Sequence, residues 1–122
     1  MTVLLDSVIL IDHFNGIAAA TKFLKSIRTD GAISVITRAE VLTGLEAERV
    51  KPALQLLDSF PNLAIDSEIA DLAAKLRRTH RWRLPDAFQA ALAQHHMLRL
   101  ATRNTDDFPP GRFGFVDVPY AV

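Results

Sequence analysis

The 122-residue chain has no cysteine. This excludes disulfides, thiolate metal sites and cysteine nucleophiles, and it is compatible with a reducing cytosol. Its five glycines are scattered, so there is no glycine-rich phosphate loop, and Gly111-x-x-Gly114 reads as a turn. None of the four histidines pairs with another at the i, i+4 spacing of a zinc site, since His95 and His96 are adjacent and His13 and His80 stand alone. No histidine lies at readable spacing from Ser7 or Ser34, which makes a nucleophilic triad a poor reading. The 14 basic residues balance the 14 acidic ones, so the net charge exerts no global pull toward nucleic acid or membrane. The apolar N-terminal stretch is broken by Asp6 and Asp12 and follows no basic segment. Neither a signal peptide nor a membrane span is expected, and the expected setting is cytoplasmic. Repeats, low-complexity tracts and linkers are absent as well, so residues 1–122 are expected to form one domain, long enough to bury a core.

What is present is an alternation of strand and helix signals. "TVLLD", "GAISVIT", "NLAID", "LRLAT" and "FGFVDVP" read as short strands. "AAATKFLKSIRT", with Ala20, Phe23, Leu24 and Ile27 on one face, reads as an amphipathic helix. "TRAEVLTGL" is a helix whose Thr37-x-x-Glu40 spacing fits a capping box. "VKPALQLLDSF" is another, which tolerates Pro52 in its first turn. Ser67 suits the N-cap of "EIADLAAKLRRTH". "LPDAFQAALAQHHM" has the strongest helical pattern, with Pro85 fitting the first helical position. Strands alternating with helices predict a three-layer α/β sandwich around a central parallel sheet.

Ligands of such sheets bind beyond the carboxyl ends of the strands, and four segments bring acids to that edge. Asp6 closes the first strand. Glu40 lies in the first turn of the helix after the second, Asp86 begins the Pro85 helix, and Asp106 and Asp107 follow "LRLAT". Taken singly, Glu40 reads equally well as a cap, Asp86 as a dipole partner, and Asp106 or Asp107 as turn formers. Asp6 is the hardest to explain locally, because a carboxylate buried without a partner costs several kcal/mol or neutralises. Together, converging carboxylates are what a hard cation requires; Mg²⁺ takes a few oxygen ligands and retains water. Asp12 gains no such role and is expected on the surface of the following turn or helix.

"KLRRTHRWR" gathers Lys75, Arg77, Arg78, Arg81 and Arg83 without an acid, and Trp82 offers a stacking face. Cations for phosphates beside an aromatic for bases fit contact with single-stranded or looped RNA, although basic residues also suit a helix C-terminus.

In this order, "LLDSVILID", "SVITRAEVLTGL", "LPDAFQAALA" and "LATRNTDDF" resemble the four motifs of the PIN-domain nucleases, specifically the VapC-type toxins of bacterial toxin–antitoxin pairs. The resemblance covers the whole chain. It implies a Mg²⁺- or Mn²⁺-dependent endoribonuclease, with tRNA the family's commonest target and products carrying a 5′-phosphate and a 3′-hydroxyl. It also implies neutralisation by a cognate VapB-type antitoxin, and a homodimer. Carried over by motif, the metal-binding and catalytic acids are Asp6, Glu40, Asp86 and Asp107. At the fourth motif Asn104 can supply a neutral oxygen, and Asp106 is the alternative acid. Ser34 and Thr102, at strand ends, are candidates for hydrogen-bonding a metal-bound water, and Arg77, Arg78, Arg81 and Arg83 for holding RNA. Two other readings compete: a receiver-like phosphoacceptor, with Asp66 after "NLAI" but no lysine after Lys75, and a non-catalytic binding module of the same fold.

Overall fold

The computed structural model describes all 122 residues. The inner strands are β1 (Val3–Leu5), β2 (Gly31–Ser34) and β4 (Arg99–Ala101), whose central residues Leu4, Ala32, Ile33 and Leu100 are fully buried, with β3 (Asn62–Leu63) and β5 (Val116–Asp117) at the edges of one sheet. Its order is β3-β2-β1-β4-β5, and every pairing is parallel. The chain builds outward from β1 through β2 to β3, then crosses back to place β4 on the other side of β1. The switch point of the sheet therefore lies between the carboxyl ends of β1 and β4.

Successive strand residues face opposite sides, and this divides the core. Leu4 and Leu100 join Ile69, Ala73, Trp82, Leu92 and Phe108 on one face, beneath α5 (Ser67–His80) and α6 (Leu84–His95). Leu5, Ile33 and Ala101 join Ile9, Leu10, Leu24, Val41 and Leu57 on the other, beneath α1 (Ser7–Phe14), α2 (Ala18–Ser26), α3 (Val35–Thr43) and α4 (Ala47–Asp58). The expected three-layer α/β architecture is the one formed. No helix is long and apolar enough to cross a membrane.

Local features depart from the sequence reading at the helix starts. Ser34, not Thr37, caps α3: its Oγ accepts from Thr37 N at 3.0 Å. The helix thus begins at Val35, Glu40 falls in its second turn, and the expected capping box does not form. Asp66, not Ser67, caps α5, accepting from Ile69 N at 2.9 Å. Helix α4 begins a turn earlier than expected, which leaves Pro52 inside it and removes one helical hydrogen bond. Pro85 sits second in α6, after Leu84. "NLAID" pairs only over Asn62–Leu63.

Asp12 is the main correction. It is buried to 4% exposure, and its carboxylate accepts from Arg103 Nε at 2.6 Å, Arg103 Nη2 at 2.8 Å and Tyr120 Oη at 2.8 Å. The partners lie 91 and 108 residues away, so nothing near Asp12 in sequence announces them.

Candidate active site

Asp6 is buried immediately after β1, as the N-cap of α1. Its Oδ1 accepts from Ser7 N at 2.8 Å and from Gln89 Nε2 at 3.3 Å, and its Oδ2 accepts from Thr102 Oγ1 at 2.6 Å. These donors come from α1, from α6 and from the residue after β4, so the switch point of the sheet holds this carboxylate on both oxygens. Charge-assisted bonds of this kind offset the burial that made Asp6 puzzling in the sequence.

The other acids face it. Asp86, third residue of α6, is buried at 8% exposure. Its carboxyl is pushed up to about 7, first by burial, then by a hydrogen bond with Asp107 and by the charges of Asp6 and Asp107; Arg83 opposes the rise. Glu40 is exposed by area. Burial raises its pKa first and the Asp6 charge adds to the rise, while Ser7 and Arg83 pull it down. Asp107 completes the group and is itself held by Asn104, whose Nδ2 donates to Asp107 Oδ2 at 3.0 Å. Asp106 is exposed. The structure therefore brings Asp6, Glu40, Asp86 and Asp107 to one crevice and leaves Asp106 outside it. No three of the acidic and imidazole side chains stand as a ready-made metal cage. Asp86 and Asp107 are instead turned toward each other and toward Arg83, which lies 3.5 Å from Asp86 and 3.9 Å from Asp107.

The supporting residues take different parts from those expected. Thr102 donates to Asp6 and accepts from Asn104 N at 3.0 Å, tying the first acid to the fourth segment. Ser34 is occupied as the α3 cap. Asn104 holds Asp107 rather than offering a free oxygen. Asp66 is engaged as a cap, so the receiver-like reading loses its acceptor.

The basic segment is also rearranged. Trp82 is 3% exposed, so it is not the open stacking face expected. It packs against Phe108 and Phe113 with ring centroids 4.8 and 5.2 Å away, and its Nε1 donates to Asp107 O at 2.9 Å. His80 stacks over it at 4.4 Å. Arg77 Nη1 donates to Trp82 O at 2.6 Å, which commits Arg77 to structure. Arg78, Arg81 and Arg83 remain exposed. A recess of about 220 Å³ lies beside the acids, lined by His80, Arg81, Trp82, Asp107, Arg112 and Phe113 among others. A larger groove of about 430 Å³ between α2 and α4 is lined by no acid.

Sequence reasoning missed Gln89, which is 1% exposed and reaches both Asp6 and Thr37. Its one signal was a polar residue on an otherwise Ala- and Leu-rich helix face.

A parallel α/β sheet with acids gathered at its switch point defines the class of protein, and the comparisons with known proteins give its family. The family model of the PIN domain matches residues 3–109, and the chain belongs to that family. Within it, the chain is similar from end to end to VapC-type proteins. It is 38% identical to Ribonuclease VapC10 of Mycobacterium tuberculosis over 127 residues, covering 98% of this chain and 94% of the relative. Its fold superposes on a chain of a toxin-antitoxin complex from Klebsiella pneumoniae with a TM-score of 0.92 and 36% identity, covering 99% of this chain and 100% of that one. FitAcB from Neisseria gonorrhoeae is more distant, with a TM-score of 0.71 and 26% identity over 88% of this chain and 91% of that one.

Proposed function

We propose that this protein is an endoribonuclease toxin that hydrolyses RNA phosphodiesters with Mg²⁺ or Mn²⁺ at the crevice of Asp6, Glu40, Asp86 and Asp107. The observation that carries the reading is the convergence itself: burial first, then Asp107 and the Asp6 charge lift Asp86 to about 7, and Glu40 lies close enough for the same Asp6 charge to raise it. Oxygen donors without nitrogen or sulfur, carrying more negative charge than Arg83 offsets, fit a hard divalent cation that needs only a few carboxylates. Similarity to Ribonuclease VapC10 supports hydrolysis of RNA.

In this reading Asp6 and Asp86 hold the cation, and Glu40 and Asp107 complete the site or orient water. Bound there, the cation supplies Lewis-acid chemistry, activating water and stabilising charge on the phosphate. The chain's own residues do the rest. Thr102 fixes Asp6, Asn104 fixes Asp107, and Asp86 carries or releases a proton near neutral pH. The water oxygen bonds to phosphorus as the bond to the 3′ oxygen breaks, and that oxygen takes up a proton. Arg81 and Arg83, with Arg112 across the adjoining recess, hold the RNA backbone. The substrate is proposed to be a structured RNA such as tRNA. The partners are proposed to be a VapB-type antitoxin, which the Klebsiella pneumoniae toxin-antitoxin complex supports, and a second copy of this chain. The whole span 1–122 is taken as one nuclease domain working in the cytoplasm.

Expression in a bacterial host tests this. Wild type should arrest growth, with relief by Asp6→Ala, by Asp86→Ala, and by co-expression of a cognate VapB-type antitoxin. Purified protein should cleave tRNA only with Mg²⁺ or Mn²⁺. Arrest by both substituted proteins at the wild-type level, or cleavage undiminished by EDTA, would sink the reading.

A further inference from the structure

We propose that Gln89 is a positioning residue that aims the Asp6 carboxylate, an inference that rests on the reading of Asp6 as a metal ligand. The Gln89 side chain is fully enclosed. Its Nε2 donates to Thr37 Oγ1 at 2.6 Å and to Asp6 Oδ1 at 3.3 Å. The orientation of the amide is set by chemistry. A carboxylate oxygen only accepts, so the N–H side must face Asp6, and Oε1 is turned the other way.

That orientation has a cost on the page. Gln89 Oε1 is buried without any hydrogen-bond partner, and a buried, unpaired acceptor is destabilising. An apolar side chain of the same volume would avoid the loss, and the residues buried around the rest of this helix from position 87 on, Ala87, Ala90, Ala91, Leu92 and Ala93, are all apolar. The acceptor side of the amide therefore costs stability, and what the amide gains lies on its donor side, at Thr37 and Asp6. With Ser7 N and Thr102 Oγ1, it is the third donor that fixes the plane of the Asp6 carboxylate. Thr37 anchors the amide in turn: its Oγ1 donates to Leu5 O at 3.3 Å and accepts from Ser34 Oγ at 3.4 Å. The chain of contacts runs from the α3 cap through α6 to the end of β1, so three elements agree on one rotamer of Asp6. Partners that orient metal-binding carboxylates contribute about 10–100-fold to metal affinity.

Calorimetric titration of the purified protein with Mn²⁺, in the absence of RNA, tests this together with thermal unfolding. Gln89→Met keeps the volume and removes the donor. It should weaken Mn²⁺ binding about tenfold or more while holding or raising the unfolding midpoint, because the stranded acceptor is gone. Gln89→Asn keeps an amide but draws it back by one methylene, and should weaken Mn²⁺ binding in the same way. A folded Gln89→Met protein that binds Mn²⁺ like wild type overturns the proposal. So does a drop in midpoint in both variants large enough to account for the lost binding, since Gln89 would then be a core residue only. Asp6→Asn separates the two levels of the argument. If it abolishes Mn²⁺ binding while Gln89→Met does not, only the positioning role fails; if wild type and Asp6→Asn bind Mn²⁺ alike, the metal reading of Asp6 fails and the positioning role with it.

Discussion

Asp86 is protonated in the folded protein over a pH range in which the same residue in the unfolded chain is ionised, because its carboxyl stands at about 7 rather than at 3.8. The sign follows directly. Below about pH 4 the group is neutral in both states and has no effect. As pH rises toward and past 7, folding must accommodate a charge that burial, Asp107 and Asp6 disfavour, so stability falls. Asp86→Asn removes that charge. The variant should be more stable than wild type at pH 8, by on the order of 1 kcal/mol or more, with the difference vanishing near pH 4; urea unfolding at the two pH values measures both. A variant destabilised equally at both would mean that Asp86 supports the fold instead of straining it. The proposed acids could be picked out in the sequence because Asp6 closes a strand, Asp86 stands in the first turn of a helix, and Glu40 and Asp107 lie in the segments that follow β2 and β4. Gln89 was not, because a glutamine in a helical pattern looks the same whether it faces solvent or an acid.

At the scale of elements, the strongly periodic helices and the β-branched strands were legible, and their starts were not. Two polar residues in a row at 66 and 67 both suit an N-cap, and the choice fell to Asp66 because its Oδ1 reaches Ile69 N. Asp66→Ala should cost about 1 kcal/mol in chemical denaturation, while Ser67→Ala should stay within about 0.5 kcal/mol; the reverse ranking would show that the cap is misassigned. The other end of α5 explains the fate of Trp82. Arg81 takes a left-handed conformation, φ 59°, as the C-cap, and the next residue after such a stop commonly packs back on the helix. Trp82 does so against His80 of α5 and packs on Phe108 and Phe113 beyond β4, and burial of its large apolar area outweighs any gain from exposing it. An aromatic among five cations thus belongs to the core and hands the outer face of the stack to His80.

Across the whole molecule, the contact of Asp12 with Arg103 and Tyr120 joins α1, the exit of β4 and the C-terminal residues. Arg103 follows Thr102, which holds Asp6, so the clamp borders the proposed active site without entering it. Its bidentate hydrogen bond to Arg103 is the main cause that holds the Asp12 carboxyl below its ordinary range, with Tyr120 assisting against burial. A depressed folded-state pKa means that the stabilisation is present above about pH 4 and is lost as pH falls through the lower folded value. Asp12→Asn should cost on the order of 2 kcal/mol at pH 7, between the values for exposed and fully buried pairs. The deficit should shrink as pH falls below 4, with thermal unfolding across that range as the measurement. A deficit constant with pH would show that the carboxylate charge contributes nothing.

The sequence by itself determined the α/β class, the order of the four acid-bearing motifs and the family, because hydrophobic periodicity and residues at element ends are local properties that survive without coordinates. Only the tertiary structure decided which polar groups meet. Asp12 with Arg103 and Tyr120, Gln89 with Asp6, and Asn104 with Asp107 are choices among many residues of the right chemistry. Most of them are made between segments far apart in the chain, where burial in a low-dielectric interior leaves each polar group dependent on the one partner the fold brings within reach.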